Sequence, residues 1–289
     1  MASARVYKKR IRSVKNTQQM TKAMKMVSAA KLRRSQEAIV SARPYALKLK
    51  EILSGIAVRA DISDHFLLMR RPLRRVRVFV LTSDRGLCGS FNAGIIRQTM
   101  LFLKENESTF DQVELGFVGR RGYEFFKKRH WKIFSYYENI LDQLSYDSAS
   151  TITQDILENY KMAELDAVFF IYNEFKSAIA QKVVVEELLP ISRKEIGEAD
   201  AQMDYIYEPY KEGILEEILP KHMGVQVYRM LLETSASEHG ARMSAMDSAT
   251  RNAAEMISRL TLLANRLRQQ AITTELVEIV SGAEALTGQ

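Results

Sequence analysis

Cysteine is almost missing from this chain: Cys88 stands alone among 289 residues. One thiol forms no internal disulfide and no Cys-based metal cluster, and it suits a reducing compartment. No run of eighteen apolar residues occurs, which excludes an ordinary transmembrane helix. The four histidines, His65, His130, His222 and His239, have no ligand spacing, so a metal site has little support. There is no GxSxG elbow and no suggestive Cys-His pair, and the first ten residues carry no apolar segment of a secretory signal. Acid is absent from the first 36 residues, which hold eleven Lys or Arg. Residues 37–204 balance 23 bases against 24 acids and residues 205–289 hold 8 against 11, so the whole net charge of +7 resides in the N-terminal arm. A basic arm of this kind meets something acidic: nucleic acid, an anionic membrane surface or an acidic protein loop.

What is present divides into three zones. With 46% apolar and 27% charged residues the chain is globular rather than disordered. Residues 4–58 contain one proline, Pro44, and one glycine, Gly55, and are rich in the helix formers Lys, Arg, Gln, Met and Ala. A helix of that length spans roughly 80 Å at ~1.5 Å per residue, and Pro44 is expected to kink or divide it. After Pro220 no proline follows, and a helix is expected from about Gly224 to Leu286. Apolar residues there recur every seven positions. Met246, Ala253, Leu260, Leu267 and Thr274 form one row, and Ala249, Met256, Leu263, Gln270 and Val277 the other, the pattern of a coiled coil. The seam turns polar at Gln270 and Thr274, so the helix end there faces something other than a matching helix.

The middle alternates. Arg77–Thr82, Val113–Val118, Ile133–Tyr137, Ala167–Tyr172 and Val183–Val185 read as strands. Helical stretches at Phe91–Leu103, around Tyr123 and Phe126, and at 149–163 lie between them, and Pro190–Asp204 reads as a linker. Strand-helix alternation predicts a mainly parallel α/β sheet. The two terminal helices are expected to pack antiparallel, because neither is stable alone. The expected architecture is therefore α/β plus a long antiparallel α-helical coiled coil of the N- and C-terminal helices, around a central Rossmann-like domain. The boundaries are 1–60 for the first helix, 73–190 for the α/β domain, 191–208 for a linker or foot and 209–289 for the last helix.

Two glycine-bearing turns deserve weighing. Thr82–Asn92 joins a strand to a helix, where phosphate loops sit, but it lacks the GxxxxGK[ST] pattern and any lysine after Gly89. A tight turn capped by Ser90 accounts for it, with Cys88 as a small buried residue. Gly116, Gly119 and Gly122 are spaced GxxGxxG rather than GxGxxG, and a strand-end turn explains them better than a dinucleotide site. Arg70–Arg77 adds five arginines to the basic N-terminal arm, enough for phosphate contact, but few aromatics accompany the basic helix to stack bases.

Long segments at both ends resemble a known family. Asn16–Arg33, NTQQMTKAMKMVSAAKLR, closely resembles the N-terminal signature of the γ subunit of F-type ATP synthases. Ala241–Met246 and Arg268–Leu276 resemble that family's C-terminal signature, and Thr82–Asn92 and Tyr205–Pro209 also fit. The resemblance covers nearly the whole chain in the family's order. It implies a non-catalytic rotor shaft coupling proton-driven rotation of a c-subunit ring to the nucleotide cycle of β subunits. The implied partners are three α and three β subunits around one such chain, an ε subunit and the c ring, with neither nucleic acid nor a small-molecule substrate.

No cofactor is implied in this chain, ATP, ADP and Mg being bound by α and β. The implied location is the cytoplasmic face of a bacterial inner membrane, peripherally attached. Met24 and Lys25 match the position facing an acidic β loop; Lys25 departs from members with an acid there. Arg242, Arg268, Gln269, Thr273 and Glu278 match positions meeting the β ring, and Tyr205, Tyr207 and Glu208 match the foot on the c ring and ε. Chloroplast members carry a regulatory cysteine pair, which a lone Cys88 cannot form. A basic nucleic-acid-binding coiled coil is the alternative reading.

Overall fold

The computed structural model describes residues 4–59, 65–178, 180–192 and 211–287. In order they form α1 (Ala4–Arg59), β1 (Arg75–Leu81), α2 (Phe91–Glu105), β2 (Gln112–Val118), α3 (Arg120–Phe126), β3 (Lys132–Tyr137), a 3₁₀ turn (Ile140–Asp142), α4 (Tyr146–Lys161), β4 (Ala167–Phe175), β5 (Gln181–Leu189) and α5 (Lys211–Thr287). The chain divides into two compact units, one of Ser28–Arg242 and one of Met1–Val27 with Met243–Gln289. The mainly parallel α/β sheet and the two long terminal helices expected from the sequence are both present.

Neither long helix breaks at its proline. Pro44 removes the donor owed to the Val40 carbonyl, but both residues are exposed, so water can take that donor's place. Pro220 lies inside α5, which starts at Lys211, some turns before the predicted Gly224. Glu216, whose carbonyl loses its partner there, is likewise exposed.

In the unit Ser28–Arg242 the sheet order is β3-β2-β1-β4-β5. The first four strands are parallel, and β5 pairs antiparallel with β4. Alternation along β1 sends Val76, Val78 and Val80 to one face and Phe79 and Leu81 to the other. The first face packs on Ile95 and Leu103 of α2 and Phe126 of α3. The second packs on Ile152 and Ile156 of α4, on Leu49 and Leu53 of α1, and on Met223, Val227 and Met230 of α5. Arg77 points to that second face and is 1% exposed, held by Glu114 of β2 at 2.8 Å and Asp155 of α4 at 3.7 Å.

In the other unit, α1 and α5 meet along a seam. Thr21 Oγ1 and Thr250 Oγ1 lie 2.8 Å apart and Lys25 Nζ is 2.5 Å from Asp247, which sets an antiparallel register. One predicted row holds, with Met246 and Ala253 buried and Leu260 and Leu267 half-buried. The other is displaced by one residue. Thr250, Ile257 and Ala264 turn inward, while Met256 is 52% and Leu263 38% exposed. On a helix of 3.6 residues per turn, positions three and four apart flank the same row, and hydrophobicity alone does not choose between them. The threonine pair and the small Ala264 make that choice. From Arg268 through Gly282 every side chain is exposed, as the polar turn of the predicted seam anticipated.

Candidate functional site

In open α/β sheets, ligands settle where the strand order reverses, beyond the carboxyl ends of the strands. Here the reversal lies between β1 and β4. The chain itself fills that crevice. Ser237 of α5 donates to the Asn173 carbonyl at the end of β4 (3.0 Å). Arg242 donates through Nη2 to the carbonyls of Arg85 (3.1 Å) and Gly86 (3.3 Å) in the loop after β1. Its Nη1 binds Glu238 at 2.6 Å, one turn earlier. Burial raises the Glu238 carboxyl above its ordinary range, with Arg242 opposing that shift. Burial also drives His239 down to about 4, assisted by the neighbouring Arg242 and Lys31.

The loop's own polar groups turn inward. Asn92 Oδ1 accepts from the Ser83 amide (3.0 Å), Ser83 Oγ donates to the Arg85 carbonyl (2.7 Å), and Asn92 Nδ2 donates to Cys88 Sγ (3.2 Å). Cys88 is buried at 2% exposure, the small core residue predicted. Asp84 ties this loop to the next two by accepting from the amides of Arg120 (3.0 Å) and Asn139 (3.2 Å). Burial pushes its pKa up, and those two amides oppose the shift.

The GxxGxxG glycines each have a packing reason. A Cβ on Gly116 would meet the Phe79 ring at 2.6 Å, and one on Gly122 would sit 3.0 Å from Thr82 Oγ1. Gly119, at φ +89°, would place a Cβ 1.9 Å from the Thr82 carbonyl oxygen. The strand-end turn inferred from the spacing is what forms.

The sequence-predicted partner residues lie in different surroundings. Met24 and Lys25 are half-buried on α1, and Lys25 is already engaged by Asp247, whose pKa it lowers. Arg268, Gln269, Thr273 and Glu278 are all exposed on α5, and Thr273 Oγ1 donates to the Gln269 carbonyl at 3.0 Å. Along the same stretch Ile272, Leu276, Ile279 and Val280 form an apolar stripe at helical spacing, each 49–68% exposed. Arg242 differs from the rest, because the residue is 8% exposed and its guanidinium is consumed inside its own unit. Tyr205, Tyr207 and Glu208 lie outside the described residues.

Sequence reasoning missed Asp247, the paired threonines, and Ser35 with Ser235, whose hydroxyls meet at 3.1 Å. Their only signal is a heptad row through α1 at Thr21, Lys25, Ser28, Leu32 and Ser35, which its polar residues disguise. Ser35→Ala is expected to cost about 1 kcal/mol by stranding Ser235, and the double change to alanine less than the single. Urea titration of both variants checks this.

Comparison with known proteins agrees with the geometry. The family model described as ATP synthase matches residues 3–286. The ATP synthase gamma chain of Geobacter metallireducens is 52% identical over 288 residues, covering 100% of both chains. That of Anaeromyxobacter sp. is 52% identical over 99% of this chain and 100% of the relative. Among solved structures, a central stalk and c-ring of the Tetrahymena thermophila mitochondrial ATP synthase matches with TM-score 0.60 and 30% identity, over 80% of this chain and 99% of that one. A Euglena gracilis mitochondrial ATP synthase chain, 21% identical with TM-score 0.66 over 98% of this chain and 94% of that one, shares the fold. With a family model spanning almost its full length and relatives at half identity end to end, this chain belongs to the ATP synthase gamma chain family.

Proposed function

We propose that the chain is the central rotor shaft of a bacterial F-type ATP synthase. Rotation of a proton-driven c ring turns it, and the turning helix end drives β subunits through their nucleotide states, in synthesis or, reversed, in hydrolysis. The observation that carries this reading is the stripe Ile272, Leu276, Ile279 and Val280. Four large apolar side chains on one exposed face of α5 need a protein sleeve to leave water. The basic arm supports an acidic lining for that sleeve.

The partners we propose are α and β subunits, three of each, with ε and the c ring. No helix among the described residues is long and apolar enough to cross a membrane, which fits peripheral attachment through the c ring at the cytoplasmic face of the inner membrane. We propose no catalytic residue and no nucleotide or metal site in this chain, a reading supported by the filling of the β1/β4 crevice with Ser237 and Arg242. In the sleeve, Met24, Lys25, Arg268, Gln269, Thr273 and Glu278 face the β ring. Arg242 serves this interface indirectly by fixing the loop after β1. The alternative nucleic-acid-binding coiled coil has no support among the relatives.

Co-expression with α and β subunits tests the proposal. A complex of three α, three β and one copy of this chain, with ATP turnover that depends on the chain, is the expected result. A chain that never enters the ring overturns it. Removing the last ten residues is expected to weaken assembly or torque only modestly, because Ile272, Leu276 and Ile279 remain. Complete loss of assembly in reconstitution would count against that.

A further inference from the structure

The grip of the sheet on α5 has a polar centre at Arg229. Its Nη2 donates to Glu186 of β5, and its Nη1 to the Tyr172 hydroxyl of β4 and to Glu233 of α5, both at 3.2 Å. Its Nε donates to Gln226 at 2.9 Å, and the Tyr172 hydroxyl donates in turn to Glu186 at 2.6 Å. One planar fork therefore joins the helix to both strands of the antiparallel β4–β5 pair, where Phe170 lies opposite Glu186. Around it the contact is apolar: Met223, Val227, Met230 and Leu231 belong to the core on that face.

Apolar contacts have no angular preference of their own and resist rolling of a helix only through the interlocking of side chains. Hydrogen bonds weaken steeply when their angles change. Fixed at the helix surface about 5 Å from the axis, the Arg229 fork opposes rolling of α5 against the sheet. As a source of stability the cluster is poor. Burial raises the Glu233 pKa, and its Oε2 is buried with no hydrogen-bond partner among the described residues. The Arg229 and Glu186 side chains are 36% and 28% exposed, so solvent screens their attraction, and what sets the cluster apart is the directional geometry of its bonds.

We propose that Arg229, with Tyr172 and Glu186, is the torsional anchor that locks α5 to the sheet, a positioning role that rests on the rotor reading above. The same α5 continues unbroken to Thr287. Rotation imposed on the sheet is therefore carried into the helix instead of being lost as roll.

The test uses the assembled complex with α and β subunits, its ring fixed to a surface and a bead on Met162→Cys. Met162 is 72% exposed at the end of α4, and the native Cys88 is buried and stays unlabelled. The readout is the angular variance of the bead in the stalled rotor. Arg229→Met and Tyr172→Phe are expected to raise the variance about twofold, as directional bonds are lost, with ATP turnover per complex little changed. Arg229→Lys, which keeps the charge without the fork, should give a smaller rise. Unchanged variance in an assembled, active Arg229→Met complex overturns the proposal. If that variant does not assemble, Tyr172→Phe, which loses one hydroxyl, decides by the same readout. A wild-type chain that fails to assemble with α and β fails the rotor reading, and this inference with it.

Discussion

Gly119→Ala is expected to be among the most damaging single substitutions in the chain. At φ +89° and ψ 147° the residue occupies a region that L side chains avoid, and its Cβ would lie 1.9 Å from the Thr82 carbonyl oxygen. That oxygen belongs to backbone that β1 and β2 hold between them, since the Thr82 amide donates to the Val118 carbonyl at 2.8 Å. No rotamer change relieves the clash. Backbone strain and overpacking together suggest a loss of about 3–6 kcal/mol, a large share of a domain's stability. Gly94→Ala is the contrasting control. It lies within α2, its Cβ would meet Val183 at 3.5 Å, an ordinary contact, and the change should stabilise slightly. Urea midpoints that fall steeply for the first variant and not for the second are the expected result; similar midpoints for both would refute the strain argument.

Acid is expected to loosen the sheet-bearing unit well above the ordinary carboxylate range, through two histidines. Burial lowers His222 to about 4, assisted by Lys50 and Arg229, and His239 falls to a similar value. Unfolded histidine titrates near 6.5. Between those values the unfolded chain binds more protons, so stability rises with pH. The contribution is fully present above about pH 6.5 and is lost as pH falls toward 4. Each site is worth about 3 kcal/mol at its limit, and His222 and His239 are only 2% and 5% exposed, so little solvent screening intervenes. His222→Leu separates this effect from carboxylate titration. Nε2 has no hydrogen-bond partner among the described residues, so little is lost at neutral pH. Its unfolding curves at pH 7.5 and 5 should lie closer together than the wild type's. An equal acid shift in both proteins would mean that His222 is not the group involved.

How much of the fold was legible depended on the kind of signal. Strands such as Arg77–Thr82 declare themselves through β-branched runs, and a parallel order follows from the helices between them. The long helices declare themselves through composition, yet Pro44, expected to kink or divide the first, sits inside a continuous helix at an exposed position, where water can reach the backbone. The α5 seam was legible in one row and displaced in the other, since Met256 and Leu263 look like core residues in a list of hydrophobicities. The glycine turns were rightly read as turns, but Ser90 makes no side-chain cap of α2, and the packing causes, a carbonyl oxygen beneath Gly119 and a phenyl ring beside Gly116, were invisible.

For the site, resemblance supplied the residues and the tertiary structure supplied their surroundings. The sequence by itself determined the family, the mainly parallel sheet, the paired terminal helices and the location of excess positive charge. Each of these is written in local periodicity, composition or long matching runs. Only the tertiary structure decided that Lys25 faces Asp247, that Arg242 is consumed by the loop after β1, and that Arg229 bridges two strands. Those partners lie 43 to 222 positions apart. Contacts at such separations are fixed by register and packing, which no local pattern of residues encodes.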